Sequence, residues 1–142
     1  LTFDNVGSTS SNSHFRFKFY KDTGATSDNK YRGYSLMYNA NSSNVSQAYQ
    51  DGYPYLTVSQ FNGSSEGASG FMWIHQPLQT IMTTFNYQIA FHRSDGYGAM
   101  TVGSGNTTDF ATRQHTGFYF YLENGGSFGG RAKVTLYGVK RT

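Results

Sequence analysis

Four histidines, His14, His75, His92 and His115, are the side chains of this 142-residue chain that titrate nearest neutral pH, so acid–base or metal chemistry would start with them. Their spacing does not supply it. A metal site on a sandwich strand needs two His one residue apart with a Glu close behind, because residues i and i+2 point to the same face; His75 is neighboured by Trp73, Gln76 and Pro77 instead. The stretch Gly125, Gly126, Ser127, Phe128, Gly129 matches the Gly-x-Ser-x-Gly pattern of serine hydrolases. That chemistry needs a strand-to-helix elbow, and the chain after Gly129 reads as a strand from Arg131. Paired-carboxylate glycoside hydrolysis needs two opposed acids. The chain has two Glu, Glu66 and Glu123, and six Asp, of which Asp22, Asp28, Asp51 and Asp95 sit in turn contexts; Asp109 and Glu123 are not explained by that rule and belong to no motif. With no Cys, thiol chemistry, cysteine-ligated zinc and disulfides are excluded. The expectation is a protein without catalytic residues, metal or cofactor.

Aromatic side chains are the stronger signal, and the chemistry they offer is recognition. Trp73 is the only Trp, and Tyr residues crowd the strand candidates at Tyr31, Tyr34, Tyr38, Tyr49, Tyr53, Tyr55, Tyr97, Tyr119 and Tyr121. A Tyr can cover a ring-sized surface while its hydroxyl stays wet, which suits stacking on sugars or packing between subunits. Trp73, Tyr53, Tyr55, Tyr97, Tyr119 and Tyr121 are the candidate binding residues. A second sheet, a neighbouring subunit and a glycan are the candidates for what they cover. Sequons occur at Asn41, Asn44, Asn62 and Asn106, and matter only in a eukaryotic secretory pathway.

Charge narrows the partners. The net charge is +3, with the basic residues dispersed apart from Lys140 and Arg141, and the densest other group, Arg16, Lys18 and Lys21, reads as a solvated strand face. No nucleic-acid partner is expected. There is no run of eighteen apolar residues and no signal-peptide pattern at Leu1, so the chain reads as soluble, without membrane insertion.

The elements that must position these residues are strands. Phe15, Phe17 and Phe19 alternate with Arg16, Lys18 and Tyr20; the same period of two returns at Phe85, Tyr87, Ile89 and Phe91, at Phe118, Phe120 and Leu122, and at Val134 and Leu136. Aromatics make up 18% of the chain and charged residues 13%, so the core must be built from rings. Strands are expected at Leu1–Val6, His14–Lys21, Tyr31–Asn39, Tyr53–Phe61, Gly70–Gln76, Thr83–Arg93, Ala99–Val102, Gly117–Glu123 and Arg131–Lys140. Turns are expected at Asp22–Gly24, Asn62–Ser65, Asp95 and Gly96, Gly103–Asn106 and Asn124–Gly126, and the polar segment Asn39–Gln50 reads as an exposed loop or flap. About nine short strands with no helix longer than a turn or two fit an all-β, single-domain antiparallel β-sandwich spanning residues 1–142, jelly-roll-like in topology. An immunoglobulin-like sandwich would lack its Cys pair.

Both ends of the chain resemble a known family. Leu1, Thr2, Phe3, Asp4, Asn5, Val6 followed by Phe15, Arg16, Phe17 resembles the opening of small sandwich domains in tail-fibre and other virion appendage proteins (knobs, horns and spikes) of tailed bacteriophages, marine and cyanophage types in particular. Gly117 to Leu122, then Gly126, Ser127, Phe128, then Val134, Thr135, Leu136, Tyr137, Gly138, Val139, Lys140 is similar to their closing strands, which commonly finish in Leu-Tyr-Gly. By alternation, Leu136 of that tripeptide should face the core and Tyr137 should face outward or toward a partner. The resemblance implies a non-enzymatic virion structural protein: the distal, C-terminal domain of a longer fibre, horn or spike protein, homotrimeric, in contact with other virion proteins and contributing to host-receptor attachment, with a glycan among the candidate receptors. The start at Leu1 without an initiator Met is in keeping with such a piece. It carries over no catalytic residue, because the matched positions are strand and turn residues. Two other classes stand beside it: a lectin-like carbohydrate-binding module in which Trp73 or a Tyr pair stacks on a sugar, and a jelly-roll capsid subunit, for which the chain is short and its Lys140–Arg141 tail weakly charged.

Overall fold

Each alternating run becomes a strand with one ring-bearing face. The computed structural model describes residues 1–9, 13–21, 31–41, 45–51, 56–57, 67–78, 82–108, 114–123, 126–129 and 131–138, with the backbone alone for residue 21 and residues 45–51. Among them are β1 (Thr2–Val6), β2 (Phe15–Lys21), β3 (Tyr31–Asn39), β4 (Val45–Asp51), β5 (Ala68–His75), β6 (Thr84–His92), β7 (Gly98–Thr107), β8 (His115–Leu122) and β9 (Lys133–Thr135). They form a seven-stranded sheet in the order β4-β3-β7-β6-β5-β1-β9 and a two-stranded ribbon, β2-β8, every pair antiparallel. The chain is an all-β sandwich, as the alternation predicts. Its long-range pairings are nested: β1 with β9, β2 with β8, β3 with β7. A long antiparallel hairpin rolled onto itself gives that order, which is the jelly-roll-like feature of the topology.

The core is a stack of rings between ribbon and sheet. In register across the ribbon, Phe15, Phe17 and Phe19 oppose Leu122, Phe120 and Phe118, all turned inward. Phe17 meets Phe85 of β6 edge to face at 4.7 Å, Phe3 of β1 meets Phe15 at 5.2 Å and Phe120 at 5.0 Å, and Phe19 lies over Tyr31 at 6.2 Å. Each well-oriented ring pair adds about 0.5–1.5 kcal/mol beyond the area it buries. The buried Tyr31 hydroxyl accepts the Phe19 backbone N–H at 2.6 Å, so burial strands neither group. At the other end of β2 the Phe15 N–H donates to Thr57 Oγ1 at 3.0 Å and the Leu56 N–H to the Phe15 carbonyl at 2.8 Å.

Large and small residues alternate between neighbouring strands. Inward on β6 stand Phe85, Tyr87, Ile89 and Phe91; inward on β7, directly opposite, stand Gly105, Gly103, Thr101 and Ala99. A Cβ on Gly105 would come within 2.6 Å of the Phe85 ring, and one on Gly103 would run into the ring of Tyr87. The glycines are therefore part of the strand, where the Phe85 and Tyr87 rings lean across them. This overturns the turn expected at Gly103–Asn106: β7 runs unbroken to Thr107.

Other expectations are corrected as well. The segment Asn39–Gln50 is not a loop throughout, since β4 pairs with β3 from Tyr38 opposite Val45 to Arg32 opposite Asp51. The expected strand Tyr53–Phe61 lies mostly outside the described residues, and Leu56 and Thr57 within it form a bend docked on Phe15. The last strand is shorter than Arg131–Lys140: it stops at Thr135, and beyond it Leu136 and Tyr137 are 65% and 63% exposed, so Leu136 does not face the core. Arg16 is no solvated residue either, being buried and paired with Glu123. The turns expected at Asp22–Gly24 and Asn62–Ser65 lie outside the described residues, whereas Asp95 and Gly96 do form the β6–β7 turn, with Gly96 at φ 86°. β1 carries an irregularity between Phe3 and Val6, where Asn5 takes φ 50° and its N–H donates to Ser69 Oγ at 3.0 Å. At the start of β1, burial lowers the Leu1 amino group below its ordinary value.

Candidate functional site

A strand that buries one face must present the other, and the outward residues of the seven-stranded sheet fall into straight cross-strand rows. In one row Trp73 of β5 stands opposite Asn86 of β6, Asn86 opposite Ser104 of β7, and Ser104 opposite Tyr34 of β3. The adjacent row toward one end holds His75, Thr84, Asn106 and Arg32; the row on the other side holds Phe71, Gln88, Val102 and Leu36. Beyond that come Ser69, Ala90, Met100 and Tyr38. Rings flank the face, Trp73 and Phe71 on β5 and Tyr34 and Tyr38 on β3, separated by three strand spacings, about 14 Å.

The face divides by polarity. Between Trp73 and Tyr34 the floor is amide and hydroxyl: Asn86, Ser104, Thr84 and Asn106. Between Phe71 and Tyr38 it is chiefly aliphatic: Val102, Leu36, Met100 and Ala90, with Gln88 among them. Gln88 Nε2 reaches only a thioether, Met100 Sδ at 3.1 Å, while Asn106 Nδ2 donates to the Thr107 carbonyl at 2.9 Å and lies 3.2 Å from Met82 Sδ. A thioether is a weak acceptor, so hydrogen-bonding capacity on this face is left for a partner. Trp73 is 51% exposed. An indole left half in water forgoes on the order of 3 kcal/mol of burial, which is the physical mark of a surface with something to meet.

The outer face of the ribbon is different. Tyr119 and Tyr121, two residues apart on β8, hold their rings within 8° of parallel at 5.7 Å between centroids, Tyr20 approaches Tyr119 at 6.2 Å, and Lys18 Nζ lies 5.1 Å over the Tyr121 ring. Opposite Tyr121 stands Arg16, whose guanidinium binds Glu123 at 2.5 Å. The Arg–Glu ion pair and the cation over the ring tie β2 to β8. That gives Glu123 a structural role that no motif in the sequence announces.

The six candidate residues thus go to separate places. Trp73 is on the wide sheet's outer face; Tyr119 and Tyr121 are together on the ribbon's outer face, across the sandwich from it; Tyr97 is exposed at the β6–β7 turn, where its N–H lies 3.4 Å from Asp95 Oδ1. Tyr53 and Tyr55 lie outside the described residues. Phe71, Tyr38 and the row partners of Trp73 were not among the candidates, although period-two alternation within β3 and β5 already puts Tyr34, Tyr38, Phe71 and Trp73 on outward positions.

The histidines do not converge. His75 and His92 are exposed on the wide face, the His14 ring lies 3.0 Å from the Thr57 carbonyl, and His115 is buried against Phe19 with Nδ1 2.8 Å from Thr83 Oγ1. Ser127 lies next to the isolated bridge between Ser8 and Phe128, with its N–H donating to Thr9 Oγ1 at 3.1 Å and its carbonyl accepting the Thr9 N–H at 2.9 Å, rather than on a strand-to-helix elbow. Where β1 and β9 meet the ribbon, a cavity of about 430 Å³ is lined by apolar groups including Val6, Phe15, Phe120, Phe128 and Ala132. No helix among the described residues is long and apolar enough to cross a membrane. In comparisons with protein-family models, curated proteins and solved structures, nothing matches the chain.

Proposed function

We propose that this chain is a non-enzymatic recognition domain of a virion appendage, the distal knob of a tail fibre, horn or spike, and that it contributes to attachment at the host surface as part of a homotrimer. The observation that carries the reading is the pair of half-exposed rings, Trp73 and Phe71, standing with Tyr34 and Tyr38 on rigid strands over a ring-packed core. Side chains on strands keep their geometry without an ordering cost on binding, which is what a preformed attachment surface requires. The resemblance of the two chain ends to phage appendage domains supplies the virion context, and those ends meet in the fold as β1 paired with β9. The exposed Val134 on the edge strand β9, with Leu136 and Tyr137 just beyond its end, supports the assembly part, since an apolar edge is a surface for a second copy.

Two measurements test it. Purified chain is expected to bind cells of a marine cyanobacterial panel and to compete with phage adsorption; binding to none of them removes the attachment reading. Light scattering at micromolar concentration is expected to give three times the chain mass, and a strict monomer there removes the trimer.

A further inference from the structure

We infer that the row Trp73, Asn86, Ser104, Tyr34 is a binding site for an uncharged oligosaccharide lying across the strands, with the indole and phenol stacking on sugar rings and the amide and hydroxyl between them meeting sugar hydroxyls. This rests on the attachment reading and names the ligand chemistry of one half of the wide face.

Three observations select this occupant. The four side chains sit on adjacent strands in one register row, so their spacing is fixed by the sheet; the flanking rings are about 14 Å apart, a gap that a short saccharide spans and a single sugar does not. Trp73, Asn86 and Ser104 make no side-chain hydrogen bond to another described residue, so the indole N–H, the amide and the hydroxyl are available to a ligand. Charge complementarity decides the rest. The row carries no formal charge, and the cation one row away, Arg32, is already engaged within the chain. An anionic ligand centred on the row would have its charge desolvated without a facing cation, and an apolar protein surface would strip water from Asn86, Ser104 and Thr84 without replacing their hydrogen bonds. A neutral ligand with an apolar ring face and a rim of hydroxyls meets both needs at once. The neighbouring rows, with Phe71, Val102, Leu36 and Met100, do not offer this alternation of rings and polar groups.

Trp73 is the sole tryptophan, so its emission reports the site directly. The full chain is titrated with maltohexaose, cellohexaose and mannohexaose, with oligogalacturonate of the same length as the charged comparison, following Trp73 emission and its quenching by acrylamide. The expected result is a saturable blue shift and reduced quenching with at least one neutral hexamer, weakened at least fivefold in Asn86→Ala and in Tyr34→Ala, both variants still unfolding cooperatively. Calorimetry on Trp73→Ala, which has lost the reporter, should show the same hexamer no longer binding. The site as proposed is overturned if no neutral hexamer perturbs Trp73, if oligogalacturonate binds more tightly than every neutral hexamer, or if Trp73 emission shifts with protein concentration alone, which would mean that a second copy covers the row. If cells bind the chain and no hexamer does, the saccharide site fails and the attachment reading stands; if a hexamer binds and no cell does, the reverse holds.

Discussion

The two faces of the seven-stranded sheet are made by the same strands, yet they use aromatic residues in opposite ways. On the inner face Phe85 and Tyr87 lean over Gly105 and Gly103, Phe85 is met by the rings of Phe17 and Phe19, and both residues are buried. On the outer face Trp73 and Tyr34 stand apart with Asn86 and Ser104 between them, and the rings remain half in water. Inner rings are matched to glycines because the volume above them must be filled; outer rings are matched to amides because nothing in the described chain fills the space. Function is therefore to be sought on the face whose packing is incomplete.

Substitutions can break this contrast, beginning with the largest effect. Phe17 touches the rings of Phe19, Tyr31, Phe85 and Phe120, so Phe17→Ala should cost about 3–5 kcal/mol in a urea titration. Filling the space beneath Tyr87 with Gly103→Ala should cost about 1–3 kcal/mol by overpacking, and a neutral result would show that the ring can swing aside. Replacing Glu123 with Gln removes the charge that Arg16 faces; Glu123 is one-third exposed, so the loss should fall at about 1–2 kcal/mol, between the surface and buried limits, and should shrink in high salt. On the outer face, Trp73→Ala should cost about 1 kcal/mol in the same titration, the loss of the buried half of its indole and well below the cost of Phe17→Ala.

The inner face was legible in the sequence because period two is local: Phe15, Phe17, Phe19 and Phe85, Tyr87, Ile89, Phe91 announce their side without knowledge of any partner strand. β4 was not, since Ser46, Gln47, Ala48 and Gln50 carry no strong strand preference and the strand exists through its pairing with β3. The glycines of β7 misled for a related reason. Gly103 and Gly105 look like turn residues until the rings of the adjacent strand are laid over them. Within the candidate site, Trp73 stood out by type, but its row partners did not. Residues 34, 73, 86 and 104 meet only because β3, β7, β6 and β5 lie side by side, and sheet order is a long-range property that alternation does not encode.

The central claim is that packing holds the fold on one side of the wide sheet and recognition occupies the other. It is tested most directly by comparing Trp73→Ala with the unsubstituted chain for melting temperature and for competition with phage adsorption, on the same preparations. The account predicts competition lost in a variant that still folds cooperatively, its melting temperature lowered by no more than a few degrees. Full competition by the folded variant would contradict it.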